Sequence, residues 1–126
     1  MLITDAKQGW DSKVNFTDSN DVFVGFDSAQ DCCEEAGYFI SKSADSKYNY
    51  NGNESFSNDV EGYVFDIEFF QEVESPDLDE GGQVCFRLIK EGCCDLFLHL
   101  YNSHNGYYWH GFEAKIKGQE WQKGEL

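Results

Sequence analysis

Hydrophobic and polar residues alternate along most of this chain, and a period of two residues is the pattern of β-strands with one buried face. The segments "KVNFT" (13–17) and "VFVGF" (22–26) are rich in β-branched and aromatic residues and flank a short polar turn, so they predict a hairpin. Asn105-Gly106 is a strong signal for a second tight turn. The same pattern predicts five further strands: 38–41, 60–74, 83–91, 95–102 and 107–116.

One segment departs from the alternation. In "DSAQDCCEEAG" (27–37), Ser28 can cap the amides that follow it, the acidic residues suit a first helical turn, and Gly37 can close the last turn. We therefore expect one short helix near residues 29–36.

These elements predict a mainly β fold with a minor helical part. Six or seven strands, several of them in a C-terminal meander, indicate a twisted antiparallel sheet that closes toward a sandwich or an open barrel. The chain has 126 residues, which is the size of one domain, so we expect a single domain over 1–126. Residues 41–59 are polar and predict a long loop.

The strand after this loop has the clearest division into two faces. Phe65, Ile67 and Phe69 share one face and are expected to fill the core. Asp66 and Glu68 lie on the other face, so we expect them to project together into solvent.

The charge of the chain restricts its possible partners more than the rest of its composition does. The chain has 24 acidic and nine basic residues and a net charge of −15. Residues 1–82 hold 19 acidic and four basic residues, whereas residues 83–126 hold five of each. Binding to nucleic acid or to an anionic membrane needs Lys and Arg to neutralise phosphates, and the chain has a single arginine, Arg87. We expect neither partner, and a basic protein is favoured instead.

The excess charge is concentrated in an acidic tract, residues 59–80, which contains no Lys or Arg. Such a tract is either a solvated face or a surface shaped for a basic partner, where the charges raise the association rate and select the partner. The second interpretation assigns partner binding to nine residues: Asp59, Glu61, Asp66, Glu68, Glu72, Glu74, Asp77, Asp79 and Glu80.

The first function hypothesis is therefore a non-enzymatic binding module that blocks a basic protein surface. Its partner would be a toxin, which would make the chain an immunity protein, or a host defence enzyme, which would make it a phage inhibitor. Two alternatives stay open. One is a small enzyme or metal-binding protein that uses Cys and His residues, and the other is an accessory β-domain of a mobile element. The sequence does not indicate an oligomeric state.

Cysteines can bind a metal or act as nucleophiles, but in this sequence their positions favour neither role. Adjacent cysteines at 32–33 and 93–94 lack the C-x₂₋₄-C spacing with which two thiolates converge on zinc. Acidic neighbours also oppose a reactive thiolate at Cys32 or Cys33. "DLDEGG" (77–82) lacks the glutamate that closes a calcium loop. We expect free thiols in a cytoplasmic protein, with no metal, no cofactor and no catalytic residue.

Two segments resemble the signature motifs of a protein family. "DCCEEAGYFI" (31–40) and "SHNGYYWHGF" (103–112) are similar to the DCCE and SNGYYS-type motifs of a family of small bacterial and phage proteins, a domain of unknown function. His104 and the Trp109-His110 pair depart from the family pattern. The resemblance implies an all-β fold and a bacterial or mobile-element context.

Overall fold

The computed structural model describes residues 1–8, 11–29, 35–49, 59–73, 81–103 and 109–126, and the regular elements within them are β-strands. The strands are β1 (Leu2–Gln8), β2 (Asp11–Thr17), β3 (Val22–Asp27), β4 (Glu35–Ser41), β5 (Val64–Glu72), β6 (Gly82–Ile89), β7 (Leu96–Ser103), β8 (Gly111–Ile116) and β9 (Gln119–Glu125).

The strands form two antiparallel sheets. The five-stranded sheet has the order β1-β2-β3-β8-β9, and the four-stranded sheet has the order β4-β7-β6-β5. The sheets pack face to face and do not close into a barrel, so the structure confirms the sandwich form of the predicted mainly β fold.

The core lies between the sheets and contains the residues that the alternation assigns to the inner faces. β2 and β3 contribute alternate residues from Val14 to Phe26, and β6 and β7 contribute alternate residues from Val84 to Leu100. The largest fully buried apolar side chains are Phe16, Phe26, Phe86, Ile40, Leu88, Leu98 and Leu100.

The predicted helix is wrong at its C-terminal end, because Glu35 and Ala36 are the first two residues of β4 and pair with β7. Ala29, the first residue of the predicted helix, is not helical, and residues 30–34 lie outside the described residues. β-Pairing overrides the local helical signal here, since Ala36 is buried in the core.

Strands β1 and β9 were not predicted. Both are edge strands of the five-stranded sheet, and β9 ("QEWQKGE") has a single apolar side chain, Trp121. The feature that defines the β8–β9 hairpin lies in its turn instead. Lys117 and Gly118 both have positive φ, 52° and 81°, as a tight hairpin turn requires.

The turn between β2 and β3 attaches to the four-stranded sheet through a buried carboxylate. Asp18 accepts hydrogen bonds from the amides of Asn20 (2.9 Å), Val22 (3.0 Å) and Phe65 (2.8 Å). Phe65 is in β5, so this carboxylate fixes the start of the strand that carries the acidic tract. At least one acidic residue outside the tract is therefore structural.

Candidate functional site

The described part of the acidic tract, residues 59–73, comprises β5, an edge strand of the four-stranded sheet, and the residues next to it. The pairing with β6 is interrupted between Phe65, opposite Leu88, and Phe70, opposite Phe86. β5 therefore advances five residues while β6 advances two, and the extra residues form a bulge.

This bulge overturns the predicted division of the strand into two faces. Phe65 is buried, as expected, at 3% exposure. Ile67, expected in the core, is 47% exposed. Phe69 lies on the outer face of the sheet, where its ring packs edge-on against Phe97 with centroids 5.8 Å apart. The alternation fails because a bulge changes the side to which each following side chain points.

Asp66 does not project freely into solvent either. Its Oδ2 accepts two hydrogen bonds from Arg87, from Nε at 2.9 Å and from Nη2 at 2.6 Å, and its Oδ1 accepts the amide of Glu68 at 3.0 Å. The Arg87 guanidinium also lies 4.7 Å from the centre of the Phe69 ring. Partial burial alone would raise the pKa of the Asp66 carboxyl, but these hydrogen bonds hold it below its usual value. Asp66 therefore shapes the bulge.

Three glutamates of the tract remain exposed: Glu61, in the turn before β5, and Glu68 and Glu72 in the strand. Within the described part of the chain, none of the three forms an ion pair. Together with Ile67 they make up what we call the β5 edge surface. Asp59 lies in the same turn as Glu61. Four predicted binding residues lie outside the described residues: Glu74, Asp77, Asp79 and Glu80.

A second polar cluster, which the sequence analysis did not assemble, lies on the outer face of the same sheet. Gln83, Cys85 and His99 are at most 2% exposed, and residues 42–49 lie over them. Strand alternation places Cys85 and His99 on outer faces, but only the register shows that they are direct partners. The sequence carries no signal for that register.

The hydrogen bonds of this cluster fix the protonation of His99. The Tyr48 amide donates to Gln83 Oε1 at 2.8 Å, so Gln83 Nε2 is directed at the Ser46 carbonyl and at His99 Nδ1, both 2.9 Å away. Nδ1 must accept, and the ring proton therefore lies on Nε2, which donates to the Ser43 carbonyl at 3.1 Å. Burial lowers the pKa of His99 to about 4, so the ring is neutral.

The Cys85–His99 pair is not prepared for nucleophilic catalysis. Cys85 Sγ is 3.9 Å from His99 Nε2, the nitrogen that already carries the proton and so cannot take one from the thiol. Burial, with a further contribution from Asp45, raises the pKa of Cys85 to about 12. A neutral thiol beside a neutral imidazole is a structural arrangement here.

The remaining cysteines and histidines add no metal site among the described residues, where no three potential ligands converge. Cys93 and Cys94 are exposed free thiols in the β6–β7 turn, whereas Cys32, Cys33 and His104 lie outside the described residues. The described part of the chain has no helix that is long and apolar enough to cross a bilayer.

Residues near the undescribed parts of the two signature segments are neighbours in space. Glu35 and Ser103, which border the undescribed part of each segment on one side, are register partners in β4 and β7. On the other side, His110 Nδ1 donates to the Asp27 carbonyl at 2.6 Å. The described residues next to the two undescribed stretches are therefore paired within each sheet.

The chain matches no family model, no curated protein sequence and no solved structure. The resemblance of the two signature segments to a bacterial and phage family stays a prediction.

Proposed function

We propose that this chain is a non-enzymatic acidic binding module whose β5 edge surface docks on a basic protein surface and blocks it. An immunity protein that covers a toxin and a phage inhibitor that covers a host defence enzyme both work in this way. Such work needs a stable scaffold and a charged face, with no catalytic group.

One observation carries the proposal: Glu61, Glu68 and Glu72 are exposed and have no ion pair within the described residues, and they lie on β5 and the turn before it, the segment that also exposes Ile67. A protein interface typically combines an apolar anchor with a charged rim. The rim charges act mainly on the association rate, and Ile67 would act on the dissociation rate.

The contacts around the bulge support this assignment, because hydrogen bonds and ring packing hold its side chains in place. Arg87 is fixed between the Asp66 carboxylate and the Phe69 ring, and Phe69 packs on Phe97. An anchor on a preorganised support loses little conformational entropy when it binds.

The test starts with capture of basic proteins from the source cell by the immobilised chain at low salt, followed by purification of the retained protein. Its binding is then measured with the triple variant Glu61→Gln, Glu68→Gln, Glu72→Gln. We expect an association rate about tenfold lower at low salt and a smaller difference at high salt. The control is Glu113→Gln, Glu120→Gln, Glu125→Gln, which removes the same charge from β8 and β9 of the other sheet.

A pair of serine variants tests the apolar anchor. Ile67→Ser should raise the dissociation rate about tenfold, whereas Leu2→Ser, at the other highly exposed aliphatic residue (64%), should leave it unchanged. Equal effects of the two charge variants, or equal effects of the two serine variants, would show that this surface is not the interface.

A further inference from the structure

An open trough crosses the outer face of the five-stranded sheet, on the side of the molecule away from the four-stranded sheet. It has a volume of about 460 Å³ and runs across β2, β3, β8 and β9. Sites for small molecules typically have volumes of about 300–1,000 Å³. The trough therefore has room for a ligand of modest size.

Glycines form much of its floor. At Gly111 the nearest atom to an added Cβ would be the Gly124 carbonyl oxygen, 3.9 Å away, so a methyl group there would make an ordinary contact without a clash. At Gly25 an added Cβ would lie 2.8 Å from Cζ of Phe23, because the Phe23 ring leans over the strand. Phe112 also lines the trough, beneath Gly124. The floor is thus backbone and aromatic carbon, with the Phe23 ring as a wall.

The rim carries both hydrogen-bond donors and acceptors. Six polar side chains form it: Lys13, Asn15, Asp27, Glu113, Lys123 and Glu125. Lys13 is the register partner of Asp27, and Glu113 is that of Lys123. Neither lysine forms an ion pair with a described residue, whereas Glu113 is 3.7 Å from Lys115. β2 and β9 are three strand spacings, about 14 Å, apart. The register places Lys123 in line with Asn15, so the two lysines lie diagonally across the trough.

From this arrangement we infer that the trough binds a neutral saccharide. A sugar hydroxyl both donates and accepts hydrogen bonds, so a polyhydroxylated ring can use the ammonium groups and the carboxylates of one rim together. The carbon-bound hydrogens of the ring face can lie on the glycine floor beside Phe23. This site is independent of the proposed protein-binding surface.

Other ligand classes fit the same features less well. An anion would enter the field of a chain with a net charge of −15 and would meet three carboxylates. A cation would meet Lys13 and Lys123 at the two sides. An apolar ligand would remove the polar rim from water without replacing its hydrogen bonds.

The test is a titration of the ¹⁵N-labelled full chain, followed by NMR. Maltotetraose, cellotetraose, mannotetraose and tetra-N-acetylchitotetraose are each added separately. We expect at least one of them to give saturable shifts at the amides of Gly25, Gly111 and Lys123, with a Kd of about 1 mM or tighter. Sialyllactose and glucose 6-phosphate are the anionic comparisons.

Two variants decide whether the trough is the site. Gly111→Val fills the floor without a backbone clash, and Glu113→Gln removes one rim charge; each should weaken binding at least about tenfold. Glu68→Gln, on the other sheet, should leave binding unchanged. The inference is overturned if no neutral sugar saturates, if the anionic sugars bind more tightly, or if Gly111→Val still binds while its spectrum shows a folded chain.

Discussion

On the outer face of the four-stranded sheet, Gln83, Cys85 and His99 lie under residues 42–49 and are almost inaccessible to solvent. On the outer face of the five-stranded sheet, the polar side chains around the trough are open to water. The first group is uncharged and its amide and imidazole are held by hydrogen bonds, whereas most of the second group is charged. The difference follows from the cost of burying a charge, which an open surface avoids.

The two outer faces differ in which polar groups are available to a ligand or a partner. A covered polar cluster must satisfy its own hydrogen bonds and keep its groups neutral, so it contributes to stability. An open polar surface is free to exchange water for a ligand or a partner. In this molecule both candidate binding surfaces are open, and the Cys–His pair is covered.

The strongest way to test the comparison is to remove the central amide of the covered cluster. Gln83→Met keeps the length of the side chain but leaves the Tyr48 amide, the Ser46 carbonyl and His99 Nδ1 without their partner. We expect a loss of about 4 kcal/mol in the free energy of unfolding, measured by urea denaturation. The control is Gln119→Met on an exposed position of β9, which should change stability by less than about 0.5 kcal/mol.

Lowering the pH should destabilise the folded chain through protonation of His99 in the covered cluster. The folded pKa of about 4 is below the value of 6.5 in the unfolded chain, so between these values the unfolded chain binds more protons. Stability from this residue is complete above about pH 6.5 and falls by about 3 kcal/mol as the pH drops to 4. His99→Gln removes this titration. Identical pH dependence of the two proteins in that window would contradict the neutral histidine.

The described cysteines should differ in their reactivity, because one is covered and two are open to solvent. Cys93 and Cys94 are exposed, so iodoacetamide should modify them rapidly in the native protein at pH 8. Cys85 is buried and its pKa is about 12, so it should react only after unfolding. Mass spectrometry of the peptides checks both statements. A titration of the denatured protein without reductant should count close to five thiols; three or fewer would mean disulfides.

The smallest effect is expected on β5, where one carboxylate is held and its neighbour is open. Asp66→Asn should lower the free energy of unfolding by about 1 kcal/mol, because Arg87 and the Phe69 ring lose their charged partner. Glu68→Gln should leave stability unchanged or raise it slightly, since repulsion is relieved. Equal effects of the two variants on the thermal denaturation temperature would show that Asp66 contributes no more to stability than Glu68.

The sequence predicts the regularly paired part of this fold well. β2, β3, β6 and β7 follow the alternation, and their inner residues form the core. Prediction fails where pairing supplies what the local pattern lacks: at the edge strand β9, which has one apolar side chain, and at residues 35–36, where β4 replaces a helix.

The candidate site is predictable only in part, for a related reason. The charge of the acidic tract is visible in the sequence, but the bulge that exposes Ile67 and directs Asp66 to Arg87 depends on the register with β6. The trough depends on residues from both ends of the chain, such as Lys13 and Lys123, which meet only when the five-stranded sheet is assembled.

That assembly has a consequence for synthesis on the ribosome. β3 pairs with β8, so that Val22 lies opposite Ile116, and the five-stranded sheet is complete only after β9 has emerged. Until β8 is synthesised, the β3 edge of the β2–β3 hairpin has no partner strand. Unpaired strand edges promote aggregation. Residues 1–82, all of which are made before β8, carry the whole negative excess. Repulsion between nascent chains would keep those edges apart until β8 arrives.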